Sequence, residues 1–183
     1  RIMAAPHSLM AGGLSERQHI VLNAVVFQIA WLVCVWFGSL VAVLTTVAVV
    51  ALHLTLVNNA RAELQYIGKV LAIGFACDWL FVQTGVLATG GTLPPAWLTC
   101  LWVLFATTVG YPMRLFHHRM VLSALGGGLF APLSYFGGAK MAGVALMQPD
   151  WLGLLIIGLS WALIFPLVIH LYTQAMRPAG VES

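Results

Sequence analysis

The chain is 183 residues long, 61% of them hydrophobic and only 7% charged, with a formal net charge of +3. A soluble domain carries about 25% charged residues, so a water-soluble fold is excluded, in keeping with a strongly positive mean hydropathy. The small charge, with no cluster of Lys and Arg, also excludes a nucleic-acid binder, which needs a basic track along the phosphates.

Residues 1–19 read as a cytoplasmic lead. It is expected to be retained, because the apolar run that follows is longer than a signal-peptide core and no small-residue cleavage pattern follows it. The first span is predicted over about residues 20–37 and the second over about 41–57, with Gly38 and Ser39 breaking the apolar run between them. As one helix these spans would extend about 57 Å, against a hydrocarbon core of about 30 Å, so a hairpin at Gly38 is expected. The third span is read over about 67–87, the fourth over 96–112, the fifth over 120–147 and the sixth over 151–172. Residues 173–183 then form a cytoplasmic tail. The expected fold is an all-α polytopic membrane bundle of six transmembrane helices spanning residues 20–172.

Sidedness follows from the cations. Arg1, Arg17, Arg61, Lys69, Arg114, Arg119 and Arg177 all fall on the side that holds both termini. Lys140 lies within the fifth span. The positive-inside rule makes that side cytoplasmic. Trp31, Trp36, Trp97, Trp102 and Trp151 fall toward the opposite face, where indoles suit the headgroup boundary, and are expected to form an outer aromatic belt.

The pattern A-W-L-x-C-x-W occurs twice, at Ala30–Trp36 and Ala96–Trp102. An inverted repeat would put the copies on opposite sides of the membrane. Here one ends a span and the other begins one, so both sit at the outer face and shared interface composition is the better reading. Cys34 and Cys100 then share a depth and Cys77 lies mid-membrane. All three are expected as packed free thiols rather than a bridge.

Polar groups inside the spans are the functional candidates, because an unpaired charge in hydrocarbon is costly and faces the bundle interior. Asp78, in the middle of the third span, is the sharpest of them: a hydrogen-bonded structural carboxyl, or a proton carrier or polar anchor for a ligand. His53 is flanked by apolar residues and needs a partner, with Asn23 or Asp78 expected. Gln28, Asn23 and Tyr135 complete a set of ligand-binding or proton-relay candidates. Lys140 pairs with Asp78 or snorkels outward, the second being preferred. His117-His118 is a loop pair without a nearby Cys, Asp or Glu, and no phosphate loop or nucleophile elbow is present. No metal and no cofactor is expected.

The fifth span is irregular, with Gly126, Gly127, Gly128, Pro132 and Gly138 over about 28 residues. At about 42 Å it is too long for one straight crossing and is expected to be kinked or broken. The glycines serve close helix packing or open a discontinuous helix onto a cavity.

Asn23 with Gln28-x-x-Trp31, His53, Asp78-Trp79, Pro95-x-Trp97 with Leu101-Trp102 and Phe105-Ala106, Gly127 through Pro132-x-x-Tyr135-x-x-Gly138, and Trp161 follow one another in an order that resembles the bacterial inner-membrane proteins grouped as domain-of-unknown-function family 2878. The resemblance covers about residues 21–172. It implies a six-helix inner-membrane protein with suspected links to membrane-lipid modification, and no catalytic residues. Three expectations stay open: a holder or carrier of a lipid-like or small amphipathic ligand, which dispersed polar groups favour; an enzyme or enzyme subunit of lipid modification using His53 and Asp78; and a scaffold packing through its fifth span on a membrane-protein partner or a second copy. Membrane lipids are the expected partners.

Overall fold

A computed structural model describes residues 15–177; the rest of the lead and tail, including Arg1, lies outside the described residues. The elements are α1 (Glu16–Leu56), α2 (Ala60–Gln83), β1 (Leu87–Ala88), α3 (Ala96–Ala106), a 3-10 helix (Pro112–Phe116), α4 (Met120–Ala142), β2 (Ala145–Leu146) and α5 (Asp150–Ala175). Four helices, α1, α2, α4 and α5, are long and apolar enough to cross a membrane.

α1 starts four residues before the apolar run because Ser15 and Gln18 form a capping box: Ser15 Oγ accepts from the Gln18 amide and Gln18 Oε1 from the Ser15 amide. It is two arms, not one rod. At Gly38 the backbone adopts φ 78°, ψ −176°, a conformation essentially reserved for glycine, and the chain turns back on itself. Cys34 Sγ therefore lies 4.0 Å from Thr46 Oγ1, and the His19 and His53 rings are 6.4 Å apart. In a straight helix those pairs would be about 18 and 51 Å apart.

The remaining boundaries depart from the sequence reading for local reasons. α2 begins at Ala60, seven residues early, because Asn59 caps it by accepting from the Ala62 amide. The fourth apolar run stays α-helical only to Ala106. There Thr107 and Thr108 turn their hydroxyls back onto the carbonyls of Leu104 and Phe105, and the chain continues through turns and the 3-10 helix. The fifth span is neither broken nor as long as expected. α4 runs unbroken through Pro132 to Ala142 and ends at Gly143, in the left-handed region at φ 69°. Beyond it Ala145 and Leu146 pair antiparallel with Ala88 and Leu87, joining the α2–α3 and α4–α5 connections in a two-residue ribbon.

The glycines of α4 are packing surfaces. A Cβ on Gly127 would sit 2.4 Å from the Trp161 carbonyl oxygen, and one on Gly158 would sit 2.9 Å from the Gly128 oxygen, so α4 and α5 touch backbone to backbone. On the other side of the bundle Ala30, Cys34, Ala42, Cys100 and Leu104 form a small core between the arms of α1 and α3. Both copies of the A-W-L-x-C-x-W pattern meet there, and all three cysteines are free and buried.

Candidate functional site

Two polar clusters are buried at different levels of the bundle. The first is built on Asp78, which is completely inaccessible. α2 carries a buried stripe of Tyr66, Ile67, Val70, Gly74, Cys77, Asp78 and Phe81, the period of one helix face. Gly74, one turn before Asp78, has no side chain, and the Trp102 indole of α3 occupies that space: a Cβ there would lie 2.0 Å from the ring. So seated, Trp102 Nε1–H donates to Asp78 Oδ2 at 2.7 Å, and the Tyr135 hydroxyl of α4 donates to Oδ1 at 2.6 Å. Among the described residues no Lys, Arg or His nitrogen lies within 4 Å of the carboxyl. Both oxygens are occupied by aromatic donors. Asp78 thus acts as a post that holds two aromatic rings in fixed orientations.

Those rings form part of the wall of a cavity of about 420 Å³ between α1, α3, α4 and α5. Its lining is nearly all apolar. On α4 it follows one face from Gly126 through Phe130, Ala131 and Ser134 to Gly138 and Ala139, roughly 20 Å at 1.5 Å per residue. A ladder of aromatic rings flanks it: Trp102 stacks on Trp161 with centroids 4.6 Å apart, Phe105 lies 5.3 Å from Trp161 and 5.7 Å from Phe165, and Phe116 lies 5.0 Å from Phe165. Stacked and edge-on rings at these distances support one another and stiffen the wall. Tyr135 and Ser134 are the side-chain hydroxyls at the lining, midway along it. The space is long, narrow in chemistry and apolar, and falls in the volume range of small-molecule sites.

The second cluster lies at the end of the bundle that carries Arg17, Arg61, Arg114 and Arg119. Glu63, 2% exposed, accepts from the Tyr111 and Tyr172 hydroxyls through Oε1, each at 3.0 Å. His53 Nε2 lies 3.3 Å from Glu63 Oε2. His19, also buried, stacks on Tyr111 with centroids 4.3 Å apart. Gly110 leaves room for the Tyr172 hydroxyl, as Gly74 does for Trp102. Outside the helical spans, His117 Nε2–H donates to the Val109 carbonyl at 2.8 Å, and burial holds its ring below the ordinary imidazole range. Arg114 pairs with Glu16, tying the 3-10 helix to the start of α1.

The sequence candidates sort as follows. Asp78 and Tyr135 come together. His53 reaches neither Asp78 nor Asn23, since α2 starts early enough to bring Glu63 beside it, whereas Asp78 is fifteen residues, about 22 Å, further along the helix. Asn23 Nδ2–H donates to the Thr107 carbonyl at 2.9 Å. Gln28 is exposed on the outside of the bundle and meets no cavity. Lys140 is exposed with its ammonium 5.4 Å from the Phe136 ring centroid, so it does not pair with Asp78. The aromatic belt also needs correction: Trp36 and Trp151 are well exposed, but Trp102 is 2% exposed and bonded to Asp78, while Trp31 and Trp97 face the cavity. Glu63, His19, Tyr111 and Tyr172 were not singled out by sequence. Following the buried face of α2 back from Asp78 by helical steps reaches Glu63, which is the signal that finds it.

An all-helical bundle with several membrane-length apolar helices, a buried carboxyl post and an internal aromatic cavity defines a helical membrane protein. The chain belongs to the family described as "Protein of unknown function (DUF2878)", whose profile matches residues 20–167. No curated protein and no solved structure matches it.

Proposed function

We propose that the protein holds one hydrocarbon chain of a membrane lipid, or of a similar amphipathic molecule, in the cavity between α1, α3, α4 and α5. The observation that carries this is the shape and chemistry of that space. It is apolar along about 20 Å of α4, in the direction a lipid chain runs, with the Tyr135 and Ser134 hydroxyls as its polar side-chain contacts. The polar groups of a soluble substrate would find few hydrogen-bond partners on this lining. In this reading Asp78 does not meet the ligand; it fixes the orientation of Trp102 and Tyr135, which do.

The same proposal has the protein sitting in the bacterial inner membrane with six crossings and both termini cytoplasmic. Support comes from the reversal at Gly38, which lets α1 pass twice, from the shorter apolar helix α3, and from the confinement of the loop arginines to one end. The test is native mass spectrometry of protein released from nanodiscs. Wild-type protein is expected to retain a lipid that Ala131→Phe or Ser134→Phe, which fill the cavity, exclude. A wild-type protein without retained lipid, or filled variants that retain as much, overturns the reading.

A further inference from the structure

The Glu63 cluster borders a cleft separate from the lipid-like cavity, and its hydrogen bonds do not close. His19 is 1% exposed yet neither ring nitrogen has a partner. His53 Nδ1 and Asn23 Oδ1 are buried and unpartnered as well. These atoms belong to residues that line one small cleft between the arms of α1, lined otherwise by Leu22, Val26, Val49 and neighbouring leucines, with a volume of about 20 Å³. A buried imidazole with two idle nitrogens is costly, and polar groups in such positions are met by ordered water. The cleft is large enough for one molecule. An apolar occupant would satisfy none of these atoms.

We propose that this cleft is a water site, and that the bound water joins His19 to the His53–Glu63 pair in a continuous hydrogen-bonded chain able to take up and pass on a proton at the arginine-rich end of the bundle. The chemistry suits it. A water offers two donors and two acceptors, which meets the mixed demand of an imidazole, an amide oxygen and a second imidazole. His53 hands the chain to Glu63 across 3.3 Å, and Tyr111 and Tyr172 hold the other carboxylate oxygen. The titratable groups facing the chain come from every packed element: His19 and His53 from the arms of α1, Glu63 from α2, Tyr111 after α3 and Tyr172 from α5, with the His117 ring 5.7 Å behind Tyr172. Asp78 is too distant to extend it, so the chain serves one side of the bilayer and is not a path through it.

The experiment is solid-state NMR on the full chain in nanodiscs with nitrogen-15 histidine. Polarisation transfer from water protons to the His19 and His53 ring nitrogens is expected in the wild type and is expected to vanish at His53 Nδ1 in His19→Phe, whose ring fills the cleft. Absence of any water transfer to His19 in the wild type means a dry cleft and overturns the proposal, with no variant required. A second measurement guards against a variant that folds poorly. In a dry cleft His19→Phe removes two idle polar atoms and raises the melting temperature, whereas in a wet one it expels a satisfied water and leaves His53 and Asn23 unmet, so the temperature falls. A rise overturns the proposal.

Discussion

Gly127→Ala and Gly137→Ala place the same methyl group on the same helix and are expected to act in opposite directions. At Gly127 the added Cβ would lie 2.4 Å from the Trp161 carbonyl oxygen, 2.8 Å from Phe165 Cβ and 3.0 Å from the Trp161 carbonyl carbon. Normal contact is about 3.5–4.0 Å, so α4 and α5 must separate by about 1 Å. Two of the three atoms are backbone, and no rotamer change relieves them. Overpacking of this kind costs about 1–3 kcal/mol, and the gain in helix propensity from replacing glycine returns about 1 kcal/mol, so the net loss is about 0–2 kcal/mol, with the backbone clash favouring the upper end. At Gly137 nothing lies within 4 Å, and only the propensity gain remains, leaving the variant neutral or up to about 1 kcal/mol more stable. Equilibrium unfolding in mixed micelles, followed by tryptophan fluorescence, separates the two. Equal stability of the two variants would refute the idea that α4 and α5 are held at backbone contact through the glycine run.

Three further outcomes are expected. Asp78→Leu leaves the Trp102 and Tyr135 donors without an acceptor and should lower stability by roughly 2–4 kcal/mol; in a Trp102→Phe/Tyr135→Phe background, where both donors are gone, most of that loss should disappear, and an unchanged loss would mean that the carboxyl is not their post. Gly38→Ala puts a Cβ on a residue at φ 78° and should cost about 1–3 kcal/mol although nothing lies within 4 Å of it, so a variant of wild-type stability would show that the turn does not need the glycine conformation. His117 is held below its unfolded value by burial, so its neutral form is favoured on folding; the stability it contributes is complete above about pH 6.5 and is lost as the pH falls below that value. Melting temperature against pH should therefore decline less steeply in acid for His117→Gln than for the wild type, and parallel curves would count against the assignment.

Hydropathy and loop chemistry were enough to read the helical membrane class, the turn at Gly38 and the inward placement of Asp78, because each follows from the intolerance of hydrocarbon for exposed polar groups. Helix ends were less legible. The α2 start is decided by one cap at Asn59, and the α3 stop by two threonine hydroxyls bonding back to their own turn, and neither leaves a mark on a hydropathy profile. The partner of His53 was misread for the same reason: with α2 started late, Glu63 falls in a loop and Asp78 is left as the nearest acid. Trp102 was misplaced because an indole at a span end satisfies the headgroup rule equally well as the donor to a buried carboxyl. What distinguishes the two is the missing side chain at Gly74, which belongs to another helix.

The two-residue ribbon between Leu87–Ala88 and Ala145–Leu146 has a consequence for traffic. Leu87 and Val144 both border the cavity, and the paired strands weld the segments that carry them into a single lid, further pinned by the Met147 amide on the Val86 carbonyl at 3.1 Å. Opening that end would break this backbone pairing. The seam between the first arm of α1 and α4 shows no such backbone pairing among the described residues: there a Cβ added at Gly138 would lie 3.6 Å from the Trp31 ring edge, side chain against glycine. On the lipid-holding reading proposed above, a guest from the surrounding lipid would enter sideways, past the Trp31 indole, and leave by the same slot.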